Sequence, residues 1–377
     1  KVRALLGTLP DAFPTGDMRA EAMWRLAWRA YRDGDLAEAT TWLTKQIETV
    51  PIDDNYWAEG QAQYWLGRTW QRRAAAEKSK RARDEDQVTA LEAYAAAVER
   101  YPLSYYAMLA LNRLREAAPK RYQALLAQIQ SASVDRDPAA PTFAFQPRAE
   151  YATPGFARAV ELLRLGLGDA AEAELTKLGL TAPAGKQRVD DADTIEKLWA
   201  MAFLYDRAGR YGTSHWMTRW HILDYKRSWP IGANAARWRI AYPLAFWDLL
   251  ERWARKRDVP PEMLIAIVRE ESAFNPLMES YANAIGLTQM IPSTGARFAK
   301  GTGITADRDN LRDPEKNVTI GSNFLGFLFE KWDGFAMLVP PSYNAGEGAV
   351  TRMLKLRGDW PADEFIEAIV DDQARNY

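Results

Sequence analysis

The stretch "AEAMWRLAWRAYRDGDLAEATTWLTKQIETVP", Ala20 to Pro51, decides how the first half of the chain is built. Met23, Leu26, Ala27 and Ala30 recur at helical spacing and so share one face. Gly34 follows as a turn. Leu36, Ala39, Trp42 and Leu43 then mark a second helix, which Pro51 stops. The unit is a helical hairpin of about 34 residues, the size of a tetratricopeptide repeat. Such a hairpin buries its apolar face only against neighbouring hairpins, so an array that curves into a superhelix is expected.

Further hairpins follow, less regularly. Residues 58–73 pair with residues 90–102, separated by the charged stretch "AEKSKRARDEDQ", read most simply as a solvated loop or helix end. Another hairpin over 156–179 turns at Gly168, and one over 195–224 turns near Gly209. Residues 131–148 hold three prolines and no helical period, which predicts an extended linker. A second break spans 225–246, and the main boundary is placed near residue 240. Beyond it, helices are expected over 243–257, 261–272, 292–300, 314–331, 346–356 and 362–371, with no convincing strands. The fold class is therefore all-α. The expected domains are a hairpin array over 1–130, a linker with further hairpins over 131–240, and a C-terminal helical domain over 241–377.

Composition narrows the chemistry. The formal net charge of −1 lacks the basic excess of a nucleic-acid-binding protein. The absence of cysteine excludes disulfides, thiolate zinc sites and thiol nucleophiles. The two histidines, His215 and His221, lie near no convincing serine elbow and read as partly exposed structural residues. No metal or cofactor is expected. No apolar run of about 18 residues is present to span a membrane. The opening "KVRALLGTLPDAFPTGD" has no signal-peptide pattern, which fits a cytoplasmic, a mature secreted or a trimmed chain equally. Fifteen tryptophans and 16 tyrosines have two competing uses: wedging helices together, mainly in the N-terminal half, or stacking on sugar rings.

"IAIVREESAFNP", Ile265 to Pro276, holds two adjacent glutamates at the end of an apolar run. Pro260 and Pro261 start a helix, as proline is tolerated in a first turn. Winding from Met263 at about 100° per residue puts the centre of the apolar face near 70–80° and Glu271 near 80°. Glu270 falls at the margin, free to pair with a cation. A carboxyl on an apolar face loses hydration and holds its proton to higher pH, which general acid catalysis at a glycosidic oxygen requires. Geometry alone leaves the alternative equally open, that Glu271 sits at the helix end and reaches solvent.

Three ordered motifs weigh on that choice: "ESAFNP" at 271–276, "SYANAIGLTQMIPST" at 280–294 and "SYNAGEG" at 342–348. Together they resemble the soluble lytic transglycosylase family over roughly residues 243–377. The resemblance implies a goose-type lysozyme-like catalytic domain preceded by a superhelical repeat region. It also implies that Glu271 is the acid, and then the base, that cleaves the β-1,4 bond between N-acetylmuramic acid and N-acetylglucosamine. The C6 hydroxyl of the muramic residue would attack its own C1 and leave a 1,6-anhydro ring. By the same resemblance Ser280 bonds the glutamate or the substrate, Gln289 meets an N-acetyl or hydroxyl group, and Tyr343 projects from a loop shaped by Asn344, Ala345 and Gly346. Structural alternatives stand beside these roles: Ser280 as a turn cap, Gln289 as a backbone bridge, Tyr343 as a core aromatic.

The chain departs from the family pattern in places. Asn283 replaces a glycine, Thr288 a methionine, and Gln373 and Ala374 replace the Glu and Thr of the terminal Glu-Thr-Arg-Asn-Tyr segment, which leaves a second cleft acid in doubt. The family's sequence also continues past the position of Tyr377. Three functions follow as expectations: a peptidoglycan lytic transglycosylase, a lysozyme-like muramidase, and a glycan-binding scaffold without catalysis. The partners implied are peptidoglycan strands, with other cell-wall proteins along the array, and the location is the periplasm or cell envelope.

Overall fold

The computed structural model describes residues 2–50, 56–131, 143, 145–232, 234–370 and 372–377. Among these the chain is α-helical, with only isolated β-bridges and no strands. It divides into two compact units: Lys1–Phe143 with Asp224–Arg237, and Ala144–Leu223 with Trp238–Tyr377. No helix is long and apolar enough to cross a membrane among the described residues.

The first unit is built from helical hairpins. The Ala20–Pro51 stretch folds as helices Arg19–Asp33 and Leu36–Thr49, joined where Gly34 caps the first at φ 85°. Asp35 caps the second, its carboxylate accepting from the Glu38 N–H. Pro51 lies outside the described residues. The aromatics of this unit serve packing. Trp65 and Tyr31 are almost wholly buried, and Trp28 lies within 6 Å of both. Helices Gln61–Ala76 and Lys80–Arg100 approach so closely that a Cβ on Gly67 would sit 2.4 Å from the Tyr94 ring.

The charged stretch at 76–87 is the largely exposed helix end that was expected, with one exception. From Lys80 it forms the first turns of the Lys80–Arg100 helix, and Asp86 is 4% exposed. The Arg73 guanidinium grips both Asp86 oxygens, at 2.7 and 2.5 Å, which makes burying that carboxylate tolerable. Most of the linker predicted over 131–148 lies outside the described residues. Ser131 ends the helix Pro119–Ser131, and residues 145–148 are non-helical.

The second unit opens with the hairpins Pro154–Arg164/Gly168–Lys177 and Ala192–Arg207/Tyr211–Trp220. The first turns at Gly166, φ 74°, while Gly168 begins the next helix, where a Cβ would strike Arg210 at 2.6 Å. Both histidines are wholly buried here, not partly exposed: Nδ1 of His215 contacts the Ala241 carbonyl at 2.9 Å, and Nδ1 of His221 the Gln187 carbonyl.

The rest of this unit is a cluster of short helices around one long one, Pro314–Lys331. Asp313 caps it through the Lys316 N–H, and Pro314 occupies its first position. This helix is buried on most sides, including Val318, Ile320, Leu325 and Leu328. Helices Trp247–Lys256, Pro261–Ser272 and Pro292–Phe298 supply the other walls of that core. Four short helices were not expected: Asn234–Ala241, inside the break read over 225–246, and Arg308–Arg312, Val339–Ala345 and Asp372–Asn376. Val339–Ala345 matters for function. Tyr343, Asn344 and Ala345 form its last turn rather than a loop, and Gly346 ends it at φ 84°.

Candidate functional site

The helix carrying the two glutamates ends abruptly. Ala273 caps it at φ 47° and Phe274 follows at φ 65°, both left-handed without being glycine. Such residues store on the order of 1–3 kcal/mol each and persist where the surroundings enforce them. Here Phe274 is inserted into the core, 4% exposed. Ser272 is buried and donates to the Val268 carbonyl at 3.0 Å. Glu271 is thus held in the last turn of a helix whose Leu264, Ile267 and Val268 face the core.

The two glutamates part company. Glu270 pairs with Arg219, which donates from Nη2 at 2.7 Å. Glu271 turns the other way, and burial pushes its carboxyl up to about 7. The Tyr377 hydroxyl donates to its Oε1 at 2.6 Å and pulls in the opposite direction, while the charge of Glu270 adds to the rise. Burial outweighs the hydrogen bond. Tyr377 itself is held well above the usual phenol range, by burial first and then by the Glu271 charge, so it remains a donor.

Opposite lies the segment 278–290, pinned by unusual backbone. Ser280 Oγ accepts from the Ala282 and Ala284 N–H groups at 3.2 and 3.1 Å. Asn283, φ 61°, takes the left-handed turn that a glycine would otherwise supply. Gly286, φ 81°, leaves no space: a Cβ would sit 2.0 Å from the Leu311 carbonyl oxygen and 2.4 Å from Asn317 Nδ2. Asn317, wholly buried on the long helix, ties the segment down. Its Oδ1 accepts from Thr288 N–H and Oγ1–H at 2.8 and 2.7 Å, and its Nδ2 donates to the carbonyls of Ile285 and Leu311 at 2.9 and 2.8 Å.

Gln289, φ 46°, spends its amide nitrogen on the Met278 and Gly286 carbonyls at 3.1 and 3.0 Å. Tyr343 donates to the Thr288 carbonyl at 2.8 Å and packs its ring on Phe324, 4.9 Å between centroids. Burial first, then the Glu271 charge, raises its pKa.

A cleft of about 560 Å³ runs between these elements. Glu271, Ser280, Gln289, Tyr343, Asn344 and Ala345 all line it. Ser280 and Gln289 also carry the structural duties given above, so their backbone bonds hold the wall in shape. Among the described residues of the lining, the only other carboxylate is Glu347, and Arg297 binds it at 3.0 Å. Gln373 lines the cleft as an amide.

Sequence reasoning missed three contributors. Tyr377 stood in the Arg-Asn-Tyr ending that was quoted, but the substitutions beside it hid its contact. Asn317 gave no signal, since one amide in an apolar helix looks like any exposed residue until the fold surrounds it. Tyr281 sits on the lip of the cleft with its side chain fully exposed.

The fold and the cleft together are those of a lysozyme-like helical domain preceded by helical hairpins. The profile described as the transglycosylase SLT domain matches residues 248–366, and one described as an outer membrane lipoprotein matches residues 3–129. The chain thus carries a transglycosylase SLT domain and is homologous over it to soluble lytic murein transglycosylases. It is 33% identical over 139 residues to the soluble lytic murein transglycosylase of Escherichia coli (strain K12), covering 36% of this chain and 22% of that protein. It is 38% identical over 117 residues to the membrane-bound lytic murein transglycosylase C of Glaesserella parasuis serovar 5 (strain SH0165), covering 28% of this chain and 32% of that protein.

Two solved structures share the fold. One is an inactive Glu-to-Gln mutant of lytic transglycosylase Slt from Pseudomonas aeruginosa, with TM-score 0.66 and 23% identity, covering 100% of this chain and 52% of that one. The other is the 70 kDa soluble lytic transglycosylase from Escherichia coli, with TM-score 0.62 and 22% identity, covering 97% and 50%. The chain therefore spans about half the length of these solved relatives, and the matched region is a smaller share of the curated ones.

Proposed function

We propose that the chain is a peptidoglycan lytic transglycosylase in which Glu271 acts first as acid and then as base. The observation that carries this reading is a single half-buried carboxyl at the end of an apolar helix face, bonded by the Tyr377 hydroxyl, in a cleft whose other described carboxylate is paired with Arg297. A glycosidase working by a paired-carboxylate mechanism needs a second carboxylate, as nucleophile or as base for a water. A transglycosylase needs neither, because the sugar supplies its own nucleophile.

Tyr377 occupies Oε1 of Glu271 as a donor, so the acidic proton sits on Oε2. Glu271 gives that proton to the glycosidic oxygen as the bond from C1 of N-acetylmuramic acid breaks. The resulting carboxylate takes the proton of the C6 hydroxyl as that oxygen bonds to C1. The carboxyl ends the cycle protonated, ready for the next bond. Tyr343 and Tyr377 keep the acid in a region of low polarity, and the exposed Tyr281 ring offers an apolar face with a polar edge on which a pyranose stacks. The substrate places the protein in the periplasm or cell envelope. The hairpins of the first unit suit a role in holding strands or other wall proteins.

The pH profile of glycan cleavage tests the protonation state. With the carboxyl at about 7, kcat/KM on purified peptidoglycan stays level on the acid side of that value. It then falls about tenfold per pH unit above it as the acid is lost. A limb that instead rises through neutral pH makes Glu271 a base or nucleophile in the first step and contradicts the proposal.

A further inference from the structure

The last turn of Pro261–Ser272 is gripped from behind by helix Tyr211–Trp220, which adds no residue to the cleft lining among those described. Gly212, His215 and Arg219 are spaced three and four residues apart and so share one face of that helix. All three meet the segment 269–274. A Cβ on Gly212 would sit 3.1 Å from the Ala273 carbonyl oxygen, so the missing side chain lets the two backbones close up. The His215 ring stands edge-on to Phe274, 5.7 Å between centroids. Arg219 donates from Nη2 to Glu270 Oε1 at 2.7 Å and from Nη1 to the Arg269 carbonyl at 3.4 Å. Its side chain is 10% exposed and that of Glu270 22%, so the pair is less screened than one on the open surface.

The last turn of a helix is poorly held, because its carbonyls lack partners further along the helix. Here that turn carries the acid. A guanidinium at this end complements the helix dipole, and it adds a second donor to the Arg269 carbonyl, which the Ala273 N–H also bonds. Glu270, pinned outward, fixes the phase of the turn. The next side chain follows about 100° further round, which delivers Glu271 to the cleft. Charge is the second effect. Glu270 is the carboxylate adjacent to the acid in the chain, and Arg219 offsets its charge. The other groups facing Glu271 among the described residues are already committed or neutral. Tyr377 donates to it, Tyr343 is bonded to the Thr288 carbonyl, Gln373 is an amide, and Glu347 is paired with Arg297. Arg269 lies over the Tyr242 ring at 4.3 Å. His215 stays neutral, because burial first, and then the Arg269 and Arg219 charges, hold its imidazole well below the usual range.

We infer that Arg219 is a positioning residue for the acid: it holds Glu270 outward and offsets its charge, and so sets both the direction of Glu271 and the field around it. The inference rests on the proposed role of Glu271 in cleavage.

Three variants of the full chain separate charge from geometry. Arg219→Gln leaves an uncompensated carboxylate beside the acid. The titration midpoint of Glu271 is followed by NMR of isotope-labelled glutamate carboxyls and assigned by its absence in Glu271→Gln. It rises by about half to one pH unit, and the alkaline limb of kcat/KM rises with it. Turnover below that limb falls about tenfold as the last turn loosens, with KM little changed. Glu270→Gln keeps an oxygen for Arg219 to hold, so turnover stays within a few-fold, while the uncompensated guanidinium moves the midpoint down. Arg219→Gln/Glu270→Gln removes both charges and returns the midpoint to the parent value. Midpoints that coincide in all three variants, or that move the same way in both single variants, overturn the inference and leave Arg219 a structural contact. Should Arg219→Gln fail to fold, Glu270→Gln and the double variant still decide, because the double variant is expected to titrate at the higher pH. The midpoint needs no turnover. If it moves as expected and the rate limb does not follow, the positioning of Glu271 by Arg219 stands and the cleavage reading fails.

Discussion

Glu271→Gln lowers turnover of peptidoglycan by about 10³–10⁴-fold and leaves glycan binding nearly intact. That is the upper part of the range for losing a positioned acid–base group. The amide keeps the shape and still accepts the Tyr377 hydrogen bond, so the cleft retains its walls. It has no proton to give the leaving oxygen and no charge to take one from the C6 hydroxyl. Glu270→Gln is the internal control. Its carboxylate is committed to Arg219, so removing it leaves kcat within a few-fold.

The same variant reports on stability, with a definite sign. The folded protein holds the Glu271 proton up to about 7, against an ordinary value of 4.5. Between those values the native state binds more protons than the unfolded chain. Stability is therefore full below the lower value and is lost as pH rises through the upper one. Glutamine does not titrate and escapes that loss. Above neutral pH, Glu271→Gln is expected to be more stable than its parent by about 2 kcal/mol, with partial exposure trimming the full figure. Near pH 4 the two coincide. An inactive yet more stable variant is the signature of a residue kept for chemistry at the expense of the fold.

The second large effect is on folding. Asn317→Leu leaves the Thr288 N–H and the Leu311 carbonyl without the partner they have now, while the Ile285 carbonyl keeps the Met290 N–H. Each buried orphan costs about 1–3 kcal/mol. With some relief from added apolar volume, the loss comes to about 3–4 kcal/mol. For a unit of this size that lowers the melting temperature by roughly 10 °C in calorimetry. Gly286→Ala attacks the same junction from the other side, forcing a methyl group against the Leu311 carbonyl. A shift of only a degree or two in both variants would show that the segment is anchored elsewhere.

Much of this was legible in the sequence because the signals were local. The Gly34 turn, the Pro261 and Pro314 helix starts, and the inward side of residues 261–272 all follow from spacing and backbone preference within a few residues. The cleft lining was legible for a different reason: motif resemblance gathered Ser280, Gln289 and Tyr343 before any geometry was known. What stayed hidden depends on contacts between distant segments. Asp86 reads as a solvated charge until Arg73, on the preceding helix, closes over it. The histidines read as half-exposed until the loop carrying Gln187 and the end of the helix Asn234–Ala241 cover them. The last turn of Val339–Ala345 is a loop in the motif resemblance, which carries no geometry, whereas Pro340 and Pro341 are compatible with the start of a helix. Tyr377, 106 residues from Glu271, was out of reach of any local pattern.

The central claim is that the muramic C6 oxygen, not water, completes the reaction begun by Glu271. Mass spectrometry of the soluble fragments released from peptidoglycan in isotopically labelled water tests it most directly. The account predicts fragments whose muramic ends are one water lighter than a hydrolysed end and carry no label. Ends of full mass carrying one labelled oxygen would mean that water is the nucleophile, and would make this protein a muramidase.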